Sequence, residues 1–183
     1  MLGLVAGTAA AGEGTVTEHI EYYTVRGSSV AELGGALARS GPIGGVVERR
    51  GSGHTVAQLT WQHTAYAHER ECRLDEVQVA VATRTLLPHW EQPKRVDRGL
   101  VHRWDRMLEA LTRHEARHRE LGREAAVAVL QALREVTTAS DCDKLRRRID
   151  GVARRIVRRF REANRRFDRD TDFGIRDGVR LDP

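Results

Sequence analysis

One stretch of the sequence has residue types and a spacing that could hold a metal ion: TRHEARHRE, residues 112–120. On an α-helix, His114 and His118 lie one turn apart on the same face, with Cβ atoms about 5–6 Å apart. Both imidazoles can then reach one zinc ion at about 2.0–2.1 Å. Glu115 is offset by about 100° around the helix, where its carboxylate can accept a proton from water. The spacing therefore indicates the parts of a zinc-dependent hydrolase, with Glu115 as general base.

The same five residues also fit a charged helix face. The chain is rich in arginine, glutamate and histidine, so a His-Glu-x-x-His match can arise on a solvated surface. The spacing alone leaves both interpretations open.

A catalytic zinc site uses three protein ligands and keeps one position open, and the third ligand is not obvious here. Glu124 lies six residues after His118, but the helical pattern continues through REAAVAVLQALREV and would carry Glu124 away from the ion. Glu162 lies on a following helix and would need that helix to pack antiparallel at the right height. Neither glutamate fits cleanly.

The predicted secondary structure changes from strands to helices near residue 95. Before it, Tyr22, Tyr23 and Val25 favour a strand, and VAELGGALARS (residues 30–40) has the spacing of a short helix. HTVAQLTWQHTAYAHERECRL and EVQVAVATRTLLP then alternate polar and apolar residues, as strands with one wet face do. The N-terminal part therefore predicts an antiparallel β-sheet with a short helix.

From residue 96 onward the apolar residues follow helical spacing. A first long helix has a stripe that runs through the motif: Leu100, Trp104, Leu108, Leu111, Glu115, His118, Gly122 and Ala126. A second helix has the stripe Leu145, Ile149, Val152, Ile156 and Phe160. The order predicts the α+β class. We expect one zincin-like domain over residues 15–183, with a sheet at 15–95 and two long helices at 96–183, the first of which carries the His-Glu-x-x-His motif.

Positive charge is concentrated in the second helix. The net charge is +5, yet residues 144–169 alone contain 12 Lys/Arg against 3 Asp/Glu. Such a segment could contact the phosphates of a nucleic acid or another anionic surface. The apolar stripe indicates that the helix must also pack, so its arginines fit a solvated face equally well.

The N-terminus bears on the location of the protein. MLGLVAGTAAAGEG, residues 1–14, resembles the end of a signal peptide with its small-residue cleavage zone. Cys72 and Cys142 would be buried thiols in the cytosol but would pair in an oxidising compartment. We expect a secreted or periplasmic protein. No other stretch approaches the ~20 apolar residues that a membrane-spanning helix needs.

Several stretches, in this order and spacing, resemble the DUF922 family, predicted secreted zinc-dependent proteases of bacteria. They are YYTVRGSSVAEL, TVAQLTWQHTAY, Cys72 with VQVAVATRTLLPHW, WDRMLEALTRHEARH, Cys142 and NRRFDRDTDFGIRDG. The resemblance spans most of the chain. It implies that His114 and His118 are zinc ligands, that Glu115 is the general base and that Cys72 and Cys142 form a disulfide.

The resemblance also implies a third ligand in the tail, where the family pattern runs Tyr-Asp, then Thr, then His-Gly. This chain has FDRDTDFG, with Phe167 in place of the Tyr and Phe173 in place of the His. Phenylalanine cannot bind a metal, so a carboxylate must substitute or the site is degenerate. Asp172 is the predicted third ligand, with Asp168 as the alternative.

The sequence therefore predicts a Zn²⁺-dependent metallopeptidase that acts on a peptide or protein substrate outside the cytoplasm. Two alternatives stay open: a relative that binds metal but has lost catalysis, and an arginine-rich protein that binds nucleic acid or another anionic surface.

Overall fold

The computed structural model describes residues 14–44 and 49–181. The predicted signal-peptide remnant, residues 1–14, lies outside the described residues apart from Gly14, so it stays a prediction. Within the described part of the chain, no helix has both the length and the apolar character that a membrane crossing requires.

A sheet and a short helix come first along the chain, and two long helices follow. The strands are β1 (Thr15–Val25), β2 (Ile43–Gly44), β3 (Arg49–Arg50), β4 (His54–His68), β5 (Glu71–Trp90) and β6 (Thr138–Ala139). The helices are α1 (Val30–Ser40), α2 (Arg98–Arg134) and α3 (Cys142–Asp170), with a 3-10 turn at Ile175–Asp177. The predicted α+β class is confirmed.

The main sheet is mixed, whereas the sequence predicted an antiparallel one. Its strand order is β1-β5-β4. Arg84 of β5 binds Glu21 of β1, and further along the N–H of Glu91 donates to the C=O of Val25. Because partner numbers rise together, β1 and β5 run parallel. The long connection between them, which includes α1, allows a parallel pairing that a short hairpin cannot.

The β4–β5 pair is the expected antiparallel hairpin. Two residues connect the strands, and the first, Glu69, has a left-handed φ of 54°, as tight hairpin turns require. The hydroxyls of Thr55 and Thr85 are 3.0 Å apart, while Thr64 donates to Asp75 at 3.1 Å nearer the turn. β6 extends this sheet antiparallel to the start of β5, and β2 pairs with β3 separately.

The described residues form two compact units. The first contains the residues up to Glu18, Ala57–Thr83 and Glu120–Ala163; the second contains His19–Val56, Arg84–Arg119 and the residues from Asn164 onward. Each of β1, β4, β5, α2 and α3 contributes residues to both units. The expected single domain over residues 15–183 stays a prediction.

The first unit has an apolar core around a disulfide. Cys72 of β5 and Cys142 of α3 are bonded, 70 residues apart in sequence, as the family resemblance implied. The core comprises Val79, Val81, Ala126, Val129, Leu130, Leu133, Val136, Leu145, Ile149 and Ala153. Its members on α3 include the first two residues of the predicted stripe, so the helical spacing identified the packed face correctly.

The second unit has its own apolar core, which anchors the N-terminal half of α2. Trp90 and Trp104 pack with ring centres 5.5 Å apart, and the indole N–H of Trp90 donates to the C=O of Gly27. The rest of this core comprises Val25, Leu33, Ala36, Leu37, Leu87, Leu100, Met107, Ala110, Leu111 and Val179. These contacts hold the helix that carries the motif against the sheet residues of the same unit.

Candidate metal centre

The motif lies inside α2, where the side chains of its two histidines and its glutamate are buried. The exposed fractions are 5% for His114, 3% for Glu115 and 8% for His118. A solvated helix face would leave these side chains accessible to water. The burial therefore rules out that interpretation for this stretch and makes any polar atom without a partner energetically costly.

The two imidazoles meet a carboxylate from α3. His114 Nε2 and His118 Nε2 are 3.3 Å apart. Asp168 Oδ1 lies 3.5 Å from the first and 2.9 Å from the second. Among the described residues, this is the group of histidine, cysteine and acidic side chains whose ligand atoms converge closely enough to hold a metal ion.

The dimensions of this triangle fit a first-row metal. Ligand atoms at about 2.0–2.1 Å from a tetrahedral zinc ion lie roughly 3.3 Å from one another. The three observed separations, 3.3, 3.5 and 2.9 Å, bracket that value. The ligand atoms of these three residues, on two different helices, are thus separated from one another by the distances expected around one metal ion.

The outer nitrogen of each imidazole has a partner that fixes the ring. His114 Nδ1 donates to Asp177 Oδ2 at 3.0 Å, and His118 Nδ1 donates to Asn164 Oδ1 at 2.8 Å. Carboxylate and amide oxygens only accept hydrogen bonds, so both Nδ1 atoms carry the hydrogen. Each Nε2 is then left with a lone pair that points toward the triangle, which is the arrangement that metal-binding histidines have.

Three electron-rich atoms that converge where little solvent reaches them repel one another unless a cation or a proton lies among them. The directions of the pKa shifts show that a proton is favoured there when no cation is bound. Burial lowers the pKa of both histidines, but their hydrogen bonds more than offset this effect and raise each pKa above the usual 6.5. Both histidines bond to Asp168; His114 also bonds to Asp177, and His118 also bonds to Asn164. Burial also opposes the charge on Asp168, yet the two imidazoles hold its pKa well below the usual range. The cluster thus attracts positive charge.

Phe167 covers the imidazoles on one side. Its ring stacks on His114 at a centroid distance of 4.7 Å and meets His118 edge-on at 5.1 Å. Phe167 lies one position before Asp168 on α3, so the same turn of helix supplies both the carboxylate and the aromatic ring that packs on the imidazoles. This cover limits access of water and helps to hold both rings in place.

Glu115 lies beside the triangle but outside it. Its Oε2 atom is buried and has no hydrogen-bond partner among the described residues. The other oxygen, Oε1, lies so near Gly53 that a Cβ added to that glycine would come within 3.1 Å of it. The negative charge of Glu115 also contributes to the raised pKa of both histidines, which indicates that its carboxylate is close to them.

The predicted third ligand, Asp172, is not in the converging group, and Asp168 is. The helix α3 ends at Asp170, after which Asp172, Phe173 and Gly174 all adopt left-handed backbone angles with φ of 50°, 54° and 87°. In this turn Asp172 is exposed, and the Phe173 side chain is 44% exposed. Glu124 and Glu162, the other candidates, also lie outside the group.

The sharp turn has a structural consequence for the site. It reverses the chain so that Gly174 approaches the His114 ring, where an added Cβ would lie 3.3 Å from Cγ. The 3-10 turn that follows then presents Asp177 to His114 Nδ1. Left-handed angles at non-glycine residues are costly and are maintained where the surroundings demand them.

Two residues that support the histidines were missed in the sequence. Asn164 and Asp168 are four residues apart on α3, so they share a helix face, and that spacing was a signal available in the sequence. Asp177 lies 63 residues from its partner His114. Nothing local to either residue indicates that pairing.

The basic helix α3 presents its arginines to solvent. Arg147, Arg155 and Arg158 are exposed, while Leu145 and Ile149 on the opposite face are buried. The helix therefore packs through its apolar stripe, as the sequence predicted.

Comparison with known families covers most of the chain. The sequence profile of a family described as "Bacterial protein of unknown function (DUF922)" matches residues 20–174, which include the two histidines and Asp168. No curated protein and no solved structure matches the chain. The resemblance noted in the sequence is confirmed at the level of the family, and the function has to be argued from the side chains.

Proposed function

Because the chain belongs to the DUF922 family of bacterial proteins, whose function is unknown, we propose from its side-chain geometry that it is a zinc-dependent peptidase. The observation that carries the proposal is the triangle of His114 Nε2, His118 Nε2 and Asp168 Oδ1, in which both histidines are buried and the aspartate is partly buried. Three lone pairs at coordination distance favour a bound cation, and the unpartnered carboxylate beside them favours hydrolysis.

The proposed ligands are His114, His118 and Asp168, and Asp168 replaces Asp172 in this role. Two nitrogens and one carboxylate oxygen leave a fourth position open, as catalytic zinc sites do. Zinc bound there would supply a Lewis acid that lowers the pKa of water to about 7 and polarises a carbonyl group. Asp177 and Asn164 would keep each imidazole in the tautomer that binds metal.

Glu115 is the proposed general base. A base of this kind must lie within hydrogen-bond reach of the water whose proton it accepts. Glu115 follows His114 on the helix, is buried next to both imidazoles and has an oxygen without a partner among the described residues. That oxygen is available to accept a proton from water and to pass it to the leaving amine.

A peptide substrate is favoured by the strand near this carboxylate. β4 comes last in the strand order β1-β5-β4, and Gly53, just before it, lies against Glu115. An extended peptide can pair with an unoccupied strand edge through main-chain hydrogen bonds. A peptide that adds to the start of β4 would bring its backbone close to the general base.

The proposed location is outside the cytoplasm. The Cys72–Cys142 disulfide supports this proposal because structural disulfides persist mainly in oxidising compartments.

The ligand set can be tested by metal analysis of the purified protein and by zinc titration of the metal-free form. We expect one zinc per chain in the wild type. Asp168→Ala removes a ligand, so it should lower zinc affinity by more than about 100-fold, which exceeds the 10- to 100-fold effect of supporting residues. The matched control Asp172→Ala removes an exposed carboxylate four residues away and should bind zinc normally. The reverse outcome would restore Asp172 as the ligand.

Catalysis can be tested with a library of quenched fluorescent peptides. Glu115→Gln keeps the shape of the side chain but not its basicity, so hydrolysis should fall by about 10²- to 10⁴-fold while zinc stays bound. Glu135→Gln, an exposed carboxylate just beyond α2, is the control and should retain full activity.

Other outcomes point to the alternatives. Zinc binding without hydrolysis of any peptide would favour a relative that has lost catalysis. Iron in place of zinc would contradict the proposal, because two histidines and a carboxylate also suit non-haem Fe(II). Salt-sensitive binding of nucleic acid with no metal uptake would favour a role for the exposed arginines of α3.

A further inference from the structure

A pocket of about 300 Å³ in the second unit is bounded by one face of α2 and by the chain after the 3-10 turn. Its lining includes the buried side chains of Met107 and Ala110. Gly178 contributes from the opposite side with a φ of 96°. The pocket therefore has apolar surface at its base and is of the size at which small-molecule sites begin, about 300 Å³.

Four arginines surround this base. Arg103, Arg106 and Arg113 come from α2, and Arg180 comes from the tail. The first three are spaced so that they fall on one side of the helix together with Ala110. Guanidinium groups present parallel N–H donors that match the two oxygens of a carboxylate or phosphate, so a cluster of them favours such a group.

The two carboxylates that also line the pocket already have partners. Glu109 binds Arg113 at 2.6 Å, and Asp177 accepts the hydrogen bond from His114 Nδ1 at 3.0 Å. Within residues 14–44 and 49–181, neither Arg103 nor Arg106 forms an ion pair. The pocket therefore keeps an excess of positive charge that its own acids do not neutralise.

We propose that this pocket binds a small organic anion, a carboxylate or phosphate group attached to a short apolar stem. The charged group would lie against Arg103 and Arg106, and the stem would lie over Met107 and Ala110. This site contains none of the three residues of the metal triangle, and binding of the anion requires no metal. It adds to the proposed function a second ligand of defined chemistry.

The pocket and the metal centre share one residue. Asp177 lines the pocket and also orients the His114 ring. If an anion in the pocket changes the affinity for zinc through this carboxylate, zinc must change the affinity for the anion by the same factor.

The proposal is tested by calorimetric titration of metal-free protein. Inorganic phosphate and phenyl phosphate probe the phosphate group without and with a stem. N-acetyl-leucine and its uncharged amide probe a carboxylate of the kind found at a peptide C-terminus. We expect saturable binding at one site for phenyl phosphate or for N-acetyl-leucine, weaker binding for inorganic phosphate, and none for the amide. The tighter of the two stem-bearing ligands identifies the anionic group.

The double variant Arg103→Gln/Arg106→Gln should weaken that binding by about tenfold or more, because two charge-assisted hydrogen-bonding groups are lost. Arg147→Gln/Arg155→Gln changes the net charge equally at exposed positions of α3 and should leave the affinity within about twofold. Absence of saturable binding for every probe, or an equal loss in both double variants, would overturn the proposal.

A separate measurement guards against misfolding. Zinc uptake and the helical circular dichroism signal of Arg103→Gln/Arg106→Gln should match those of the wild type. If the double variant does not fold, the single variants replace it, with the same criterion of weaker anion binding. Because anion binding is measured without metal and zinc uptake without the anion, failure of either proposal is visible independently of the other.

Discussion

Two buried clusters, one in each unit, are built on the same pair of long helices and are stabilised in opposite ways. In the first unit, Leu133, Leu145 and Ile149 are fully buried among apolar neighbours. The second unit also has an apolar core, but the cluster that contrasts with the first is polar and contains the buried residues His114, Glu115 and His118. Burial itself stabilises the apolar cluster, because removal of apolar surface from water is favourable without regard to direction.

Burial costs free energy in the polar cluster unless each nitrogen and oxygen has a partner at the right place. His114 therefore needs Asp177, and His118 needs Asn164, at specific distances and angles. The apolar cluster and the disulfide therefore stabilise the fold, whereas burial of the polar cluster costs free energy that the rest of the fold offsets. Four predictions test this division, in decreasing order of the change that each should produce.

Removal of the disulfide should have the largest effect on stability. The bond closes a loop with a sequence separation of 70, for which the chain-entropy model gives about 4 kcal/mol. Cys72→Ser/Cys142→Ser should lower the free energy of unfolding by that amount in chemical denaturation. The folded variant should still bind zinc with wild-type affinity. A large loss of zinc affinity under fully native conditions would contradict the division.

A cavity in the apolar cluster should have the next largest effect. Leu145→Ala should lower the free energy of unfolding by about 3 kcal/mol, within the usual range for a buried leucine. Val127→Ala on α2 is the control, since Val127 is largely exposed and its truncation should cost less than about 0.5 kcal/mol. Equal effects of the two substitutions would mean that the first unit lacks a tightly packed core.

Loss of a supporting partner should act on metal binding more than on stability. Asp177→Asn and Asn164→Ala should each lower zinc affinity by about 10- to 100-fold, because the imidazoles lose orientation and basicity. Asp170→Asn, an exposed carboxylate at the end of α3, serves as control. Wild-type affinity in both supporting variants, measured by competition with a fluorescent chelator, would show that the ligands are held by packing alone.

The pH dependence of the metal-free protein should show the smallest effect and the most specific one. Because the pKa of His114 and His118 is raised in the folded protein, protonation of these residues stabilises the fold. This contribution to the free energy of unfolding is complete below about pH 6.5 and is lost as the pH rises through the raised pKa. The lowered pKa of Asp168 gives a contribution that is complete above about pH 3.9 and is lost as the pH falls through the lowered value. Both contributions are therefore present from about pH 4 to 6.5.

This window can be measured as the Tm of metal-free protein across pH. The difference in Tm between the wild type and Asp168→Asn should be largest within this pH window and should become smaller above it. Leu145→Ala should lower the Tm without changing the shape of the profile. Zinc affinity should instead rise with pH, since the imidazoles must lose their protons to bind metal. If the difference in Tm between the wild type and Asp168→Asn does not change with pH, electrostatic interactions do not stabilise the cluster as predicted.

The parts of the molecule that depend on local periodicity could be predicted from the sequence. Helical spacing placed His114 and His118 on one face of a long helix, and it identified Leu145 and Ile149 as the packed side of α3. Both patterns lie within a few turns of one element, where the helix geometry alone fixes which side chains are neighbours.

The sequence could not show which aspartate of the tail lies next to the two histidines, although Asp168 and Asp172 were both recognised there. The choice depended on where α3 ends. Because the helix continues to Asp170, Asp168 keeps the same face as Asn164 and meets the imidazoles. Two residues beyond that end, Asp172 lies in a left-handed turn and is exposed.

The α+β order and the His-Glu-x-x-His helix could be predicted from the sequence alone, and the family resemblance added the Cys72–Cys142 disulfide. Only the folded chain established the parallel pairing of β1 with β5, the convergence of Asp168 on two histidines of another helix, and the hydrogen bond that His114 Nδ1 donates to Asp177. The physical reason is the range of the interaction. Periodicity and capping act over a few residues, whereas each of these pairings joins groups tens of residues apart, which only the folded chain brings within hydrogen-bond distance.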